Sequence, residues 1–257
     1  MTALPHIGEA NMVEAVHVRT PGLIRSELLK LKGSRVFWMT IAVPSFVLLL
    51  ASLVVLTEGS NSAMFVAGGL AIWGTLVLPL GTMALTVILA QIEHQPRAWD
   101  PLLSLPGARR RIFLIKLAAG ALVLAGWSVL LGGGLLALAA FFKAVLPAKM
   151  AGDPVPVGEF ATLVLRVWAA SFFMLVVQYG LALFFRGFIL PITIGIGGII
   201  TAGVAASSEY GQYFPWLMPL NQLATEGAPA DTALWLGIGG GIVGAIILQL
   251  AMQRREW

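Results

Sequence analysis

Side chains able to do covalent or acid–base chemistry are few in this chain, and their spacing keeps them apart. The three histidines are His6, His17 and His94. No two share the four-residue spacing that puts metal ligands on one helix face. His94 follows Glu93 directly, but consecutive helical residues point about 100° apart, so the pair does not converge on one proton. Cysteine is absent, which removes disulfides, thiolate metal sites and a cysteine nucleophile. The sequence contains no G-x-x-x-x-G-K-[ST] phosphate loop, no H-E-x-x-H and no G-x-S-x-G, so ATP hydrolysis by a phosphate loop and two common hydrolase chemistries are not encoded. Two polar side chains stand out because they interrupt apolar runs: Arg166 and Gln178. An arginine there either meets an anionic group or is neutralised by a carboxylate or by lipid headgroups. Glu159, seven residues earlier, shares its helical face, and Arg166 lies only about two turns, roughly 10 Å, into its helix. A structural pair or a snorkel to headgroups is therefore favoured over a substrate contact. Gln178 sits deeper, where an interhelical hydrogen bond is favoured over a substrate contact.

The elements that carry these residues are membrane-spanning. The chain has 257 residues, 58% of them hydrophobic and 11% charged, with a mean hydropathy of +0.90. A soluble domain averages about 45–50% apolar and about 25% charged. A span needs roughly 20 apolar residues to cross about 30 Å. Such runs occur at Val36–Leu56, Met64–Ala90, Ile112–Phe142, Phe160–Phe185, Gly187–Ala206 and Thr232–Met252. The sequence thus predicts an all-α integral membrane fold of six transmembrane helices. The fourth and fifth runs are parted only by Arg186, and Gly187 permits the turn between them. The pairs Gly237, Gly241 and Gly240, Gly244 in the last run read as notches for close helix packing. The residues before Thr20 read as a disordered lead, with Met12 as an alternative start, and residues 20–257 as one domain. Glu9 and Glu14 stand where a signal peptide would be basic or apolar.

Charge sets the orientation. Arg19, Arg25, Lys30, Lys32 and Arg35 precede the first span, and Arg97, Arg109, Arg110, Arg111 and Lys116 join the second to the third. Arg186 joins the fourth to the fifth, and Arg254 and Arg255 follow the last. The opposite loops hold Lys143 and Lys149 against Glu58, Asp153, Glu159, Glu209, Glu226 and Asp231. The excess of basic residues places both termini in the cytoplasm. The net charge of +4 therefore reports topology and no nucleic-acid partner.

Three further segments are not plain spans. Thr20 and Pro21 open a short helix in which Ile24, Leu28 and Leu31 share a face while Glu27 and Lys30 lie opposite. It reads as an amphipathic helix in the cytoplasmic interface, against the alternative of a solvated extension of the first span. In the loop Gln91–Arg111, Asp100–Pro101 starts a very short helix, Leu102, Leu103 and Leu105 follow, and Pro106–Gly107 ends it. Cytoplasmic leucines need a surface. Packing back on the membrane and contact with a protein partner explain them equally well. Finally, Tyr210, Tyr213, Phe214, Trp216, Leu217 and Met218 crowd the loop Ser207–Asp231. A segment dipping into the outer leaflet is preferred there over a plain aromatic belt.

Two of these segments carry a resemblance. Ser26-Glu27-Leu28-Leu29-Lys30-Leu31-Lys32-Gly33-Ser34 resembles the E-x-x-K-x-K/R opening of ABC-2 type permeases. Glu93 to Arg109, with Glu93, Trp99, the paired Leu102 and Leu103, Pro106 and a basic residue, followed by Lys116, resembles the same family after its second span. Gln178 to Gly198 is similar to its fourth and fifth spans, so the resemblance covers most of the chain from about Thr20. Within the family, the compact permeases of lantibiotic- and bacitracin-type peptide immunity systems are the most similar in length and layout. The resemblance implies a permease that exports a peptide or other amphipathic compound from the bacterial cytoplasm across the cytoplasmic membrane. It also implies a second copy or related permease, and a separate ATPase chain that holds ATP and Mg, this chain having no cofactor of its own. Glu93, Trp99, Asp100, Pro101, Leu102, Leu103, Leu105 and Pro106 would then form the coupling helix seated in the ATPase. Pro101 departs from the pattern by sitting at that helix's start. Rigid second and third spans would carry the motion to a path that Arg166 and Gln178 could line. The rival readings are an ion-gradient-driven transporter and a stand-alone membrane enzyme. They would want deep carboxylates, broken spans or a titratable cluster, and no Asp or Glu lies deep in any predicted span.

Overall fold

The computed structural model describes residues 35–94, 108–185, 187–224 and 227–254. The interfacial segment with Ile24, Glu27, Leu28, Lys30 and Leu31 lies outside the described residues, as does the coupling segment with Trp99, Asp100, Pro101, Leu102, Leu103, Leu105 and Pro106. Arg186 lies outside them too, and of Glu93 only the backbone is described.

The described chain is a bundle of apolar helices. In hydrocarbon every backbone group must be paired within its own element, and a helix does this without help from neighbours. Helix α1 (Arg35–Glu58) carries Pro44 in its interior, so residue 40 lacks the usual amide donor four residues on. Helix α2 (Ser62–Ile72) starts at Asn61, whose side chain accepts from the Met64 amide at 2.7 Å. A π-helical turn, Trp73–Val77, links it to α3 (Leu78–His94). Helix α4 (Ala108–Val145) runs 38 residues without a break, about 57 Å of rise. That is far more than the roughly 30 Å of a bilayer core. The expected fourth span is two helices, α5 (Val157–Ala170) and α6 (Phe172–Phe184). They part at the single residue Ser171, whose φ of −74° and ψ of −9° stay right-handed and whose hydroxyl bonds the Trp168 carbonyl at 2.6 Å. Then follow α7 (Ile189–Ala205), a 3₁₀ turn (Glu209–Tyr213), α8 (Met218–Ala224) and α9 (Ala228–Arg254).

Five helical runs are long and apolar enough to cross a membrane: Val36–Glu58, Ser62–Ile92, Ile112–Val145, Val157–Phe184 and Ala228–Met252. The fifth expected span, Gly187–Ala206, corresponds to α7, which is apolar but only 17 residues long, about 25 Å. The fold is all-α and membrane-spanning, with one small exception among the described residues. Ser60–Asn61 and Met150–Ala151, β1 and β2, pair in parallel after α1 and after α4. Gly59, with φ of 76°, makes the turn into β1. The two lysines of this end, read from sequence as free loop charges, are tied to backbone. Lys149 donates to the Leu56 carbonyl, and Lys143 to the Gly152 carbonyl at 2.6 Å.

The helices pack in pairs: α9 on α6 and α5, α3 on α6, α1 and α2 on α4, and α7 on α3. Glycines set the closest contact. A Cβ on Gly237 would stand 2.5 Å from the Ala170 carbonyl oxygen, and one on Gly241 would collide with the Phe172 ring. Gly240 and Gly244 likewise lie under Phe173 and Val176, as expected of small-residue notches. Elsewhere the core is aromatic. Trp73 and Trp127 are fully buried and meet edge to face at 6.5 Å, with Gly81 beneath Trp127. The apolar side chains of the segment Ser207–Asp231 pack largely inward on protein. Trp216, Leu217 and Met218 are buried, Trp216 stacks on Phe214 at 5.5 Å, and α8 lies between α5 and α9. Tyr210 and Tyr213 alone of that group stay exposed among its aromatics.

Candidate functional site

Polar side chains inside so apolar a bundle mark the places where something other than packing was selected or tolerated. They fall into separate groups. At the end opposite the arginines, Arg166 on α5 extends toward α8 and α9. Its Nη2 donates to Asp231 Oδ1 at 2.6 Å and its Nε to Gln222 Oε1 at 3.1 Å. Gln222 in turn donates to the Ala230 carbonyl at 2.9 Å. One guanidinium therefore ties three helices together, and its fork geometry is what lets it serve two acceptors at once. The partner expected from spacing, Glu159, is exposed and makes no ion pair among the described residues. Asp231 wins because it sits in the first turn of α9, where a carboxylate is also favoured by the helix dipole. The sequence signal was there, an acid beside a helix start, but it read as one more loop charge. Gln222 carried no signal beyond its place in the aromatic segment.

Gln178 on α6 is fully buried, yet neither its amide nitrogen nor its amide oxygen has a hydrogen-bond partner. The interhelical hydrogen bond expected of it is absent among the described residues. Its neighbours explain why. It faces Gly195 of α7 and Met83 of α3, where a Cβ on Gly195 would collide with the Gln178 amide nitrogen and lie 2.7 Å from the Met83 sulfur. Neither neighbour offers a side-chain donor. On the same α3, the hydroxyls of Thr82 and Thr86 donate to carbonyls of their own helix, Leu78 at 2.7 Å and Thr82 at 2.9 Å. The Trp216 indole nitrogen, beneath Gly198 of the same α7, also lacks a partner. So α7 lies by its glycines on two unpaired polar groups. Arg166 and Gln178, read together from sequence as path residues, face different helices and form no common site.

Four more polar side chains were not singled out from sequence. Ser128 on α4, Gln249 on α9 and the indole nitrogens of Trp73 and Trp127 are buried without partners. Lys116, read as a basic residue at the start of the third span, is buried in α4 at 1% exposure. A hydrophobic run hides single serines and glutamines, and only the packing shows which of them are turned inward.

A bundle of long apolar helices defines a multi-pass membrane protein. The profile of the ABC-2 family transporter proteins matches residues 23–202. That is more than half of the chain, so the chain belongs to the ABC-2 family, the membrane permease components of ABC transporters. Such permeases are transport components and not themselves catalytic, and they normally work with an ABC ATPase. A comparison with curated protein sequences finds no match.

Proposed function

We propose that this permease exports an amphipathic compound, such as an antimicrobial peptide, from the bacterial cytoplasm, driven by a separate ATPase that binds ATP and Mg. The observation that carries the reading is the extent of the family match, residues 23–202. It takes in the segment before α1, the segment between α3 and α4 and the unpaired Gln178 beneath α7. In this reading the basic end is cytoplasmic, and the coupling helix around Leu102, Leu103 and Leu105 seats in the ATPase. Two permease copies or two related permeases enclose the path. The unbroken α4 transmits motion better than α2–α3, which the π turn at Trp73–Val77 interrupts. Gln178 is the stronger candidate for the path, since Arg166 is already paired. A ligand that has different contacts in two states of α7 would shift their populations. A peptide-immunity substrate fits the chain's size and compact layout.

The test is Leu103→Asp, compared with Leu130→Asp, in the permease co-expressed with its ABC ATPase. Leu130 is an exposed side chain in the middle of α4. A carboxylate at 103 would enter an apolar contact unpaired, so the permease should insert while pull-down of the ATPase fails, or ATP is hydrolysed without transport. Aspartate at 130 should instead impair insertion. Normal ATPase recovery together with normal transport by Leu103→Asp would remove the main support for the reading.

A further inference from the structure

Helix α7 sits on α3 and α6, and its buried face is made of small residues, Gly195, Gly198 and Ala202, with Pro191. Such a stripe by itself serves close packing. Here two polar side chains are aimed into it. Gln178 of α6 is 0% exposed, and neither its amide nitrogen nor its amide oxygen has a partner among the described residues. A Cβ on Gly195 would collide with that nitrogen. Trp216 is 7% exposed, its indole nitrogen is likewise unpaired, and a Cβ on Gly198 would lie 2.8 Å from it. Cβ positions three residues apart on a helix are about 5–6 Å apart, so the two groups are neighbours under one helix. Buried polar groups without partners are costly, and α7 is what covers both.

The two ends of α7 are held differently. Where the chain leaves it, the Ser208 amide donates to the Ala205 carbonyl at 2.9 Å, and a Cβ on Gly211 would stand 2.5 Å from that same oxygen. Where the chain enters it, Phe188, Ile189 and Leu190 are all more than half exposed, and a Cβ on Gly187 would meet nothing within 4 Å. Gly195 lies 195 − 189 = 6 residues from the start of α7, and Gln178 lies 184 − 178 = 6 residues from the end of α6 that faces it in sequence. Each is about 9 Å. An outward swing of the unclamped end, pivoting on the clamped one, therefore uncovers the Gln178 amide first and the Trp216 indole after it.

The groups uncovered are all neutral: an amide donor, an amide acceptor and an indole donor, with the Met83 thioether beside them. One residue of an extended peptide presents its N–H and C=O to the same side, as paired strands do when they exchange two bonds. A side-chain amide answers both at once. Extended chain advances about 3.3–3.6 Å per residue, which brings a carbonyl one or two residues on within reach of the indole. We propose that the seat of α7 is a peptide-backbone site. With the unclamped end swung away, Gln178 pairs with the N–H and C=O of one residue of an extended apolar peptide, and Trp216 donates to a nearby carbonyl. The inference rests on the transport reading above and gives its cargo a class, a neutral apolar peptide segment.

The experiment is equilibrium binding of N-acetyl-trileucine N-methylamide to the full-length permease in lipid nanodiscs, with empty nanodiscs as background. Its depsipeptide analogue, in which ester oxygens replace every backbone N–H, is measured beside it. The wild type should bind the peptide about three- to tenfold more tightly than the depsipeptide, the change expected of one lost hydrogen bond. Gln178→Leu should bind the two alike. Trp216→Phe keeps a ring and loses the donor, so it should bind both about three- to tenfold more weakly and keep the preference. Gln249→Leu removes another buried, unpaired amide, one that lines a different cavity, and should match the wild type. No saturable binding by the wild type, equal affinity for the two ligands, or a preference that survives Gln178→Leu would overturn the proposal. The wild-type comparison needs no variant, so it decides even where a variant fails to fold. Capture of the ATPase, lost in Leu103→Asp, tests the transport reading by itself; that loss together with equal affinity for the two ligands would refute the site alone.

Discussion

Replacing Gly237 by alanine adds one methyl group at the tightest backbone contact that α9 makes. The new Cβ would stand 2.5 Å from the Ala170 carbonyl oxygen and 2.6 Å from the Ala170 Cα. Ordinary contact begins at 3.4 Å, so the helices must separate by about 3.4 − 2.5 = 0.9 Å. The obstructing atoms are backbone, which no rotamer change can move aside, and Ala170→Gly therefore cannot rescue the variant. Overpacking by a methylene-sized group costs about 1–3 kcal/mol. Alanine also gains about 1 kcal/mol of helix propensity over glycine. Gly239→Ala makes the same gain two residues along, where nothing lies within 4 Å. The difference between the two variants thus isolates the packing term at about 1–3 kcal/mol. For a chain of this size about 1 kcal/mol corresponds to a Tm change of about 2–4 °C, so Gly237→Ala should melt several degrees below Gly239→Ala. Thermal unfolding of the purified full-length protein in one detergent reads this directly. Coincident melting of the two variants would refute the reasoning, because the α9–α5 contact would then have room that the structure denies it.

Gln178→Leu removes an amide that is buried without a partner, so it should raise stability by about 1 kcal/mol. If the amide lines the path, transport in proteoliposomes should fall in the same variant, and unchanged transport with higher stability would exclude Gln178 from the path. Arg166 serves two acceptors, so Arg166→Lys should keep the Asp231 pair but not the Gln222 bond. A double-mutant cycle of Arg166→Met, which removes the pair, with Asp231→Asn should give a coupling of about 0.2–1 kcal/mol, the range of partly exposed pairs, and zero coupling would discard the three-helix tie. Trp168→Phe loses the donor to Ala121 and should destabilise by about 0.5–1.5 kcal/mol, measured against Trp235→Phe on an exposed face. With both termini cytoplasmic, Ser208→Cys should react with an impermeant thiol reagent outside intact cells and Ser104→Cys should not; labelling at 104 would reverse the topology.

Five of the expected spans could be read in advance because hydropathy is additive along the chain. A run such as Ile112–Phe142 must leave water whatever its neighbours are. The glycine notches of α9 were legible for a similar reason, since a small residue repeated every four positions lies on one helix face. What composition could not show were the interruptions. The π turn at Trp73–Val77 and the break at Ser171 leave hydropathy unchanged, and each depends on what packs against it. The shortness of α7 was likewise invisible beside the apolar length of Gly187–Ala206.

The sequence alone determined that the chain enters a membrane, roughly where it crosses, and that no phosphate loop or cysteine chemistry resides in it. These are properties of residue types counted along a line. The tertiary structure decided partners. It gave Arg166 to Asp231, 65 positions away, and left Glu159 at seven positions without it. It turned Gln178 and Gln249 inward with nothing to bond, and buried Lys116 near the start of the third span. The physical reason is that a helix side chain's direction is known from sequence only relative to its own helix. The rotation and approach of the next helix set what it meets, and those follow from side-chain packing over the whole bundle.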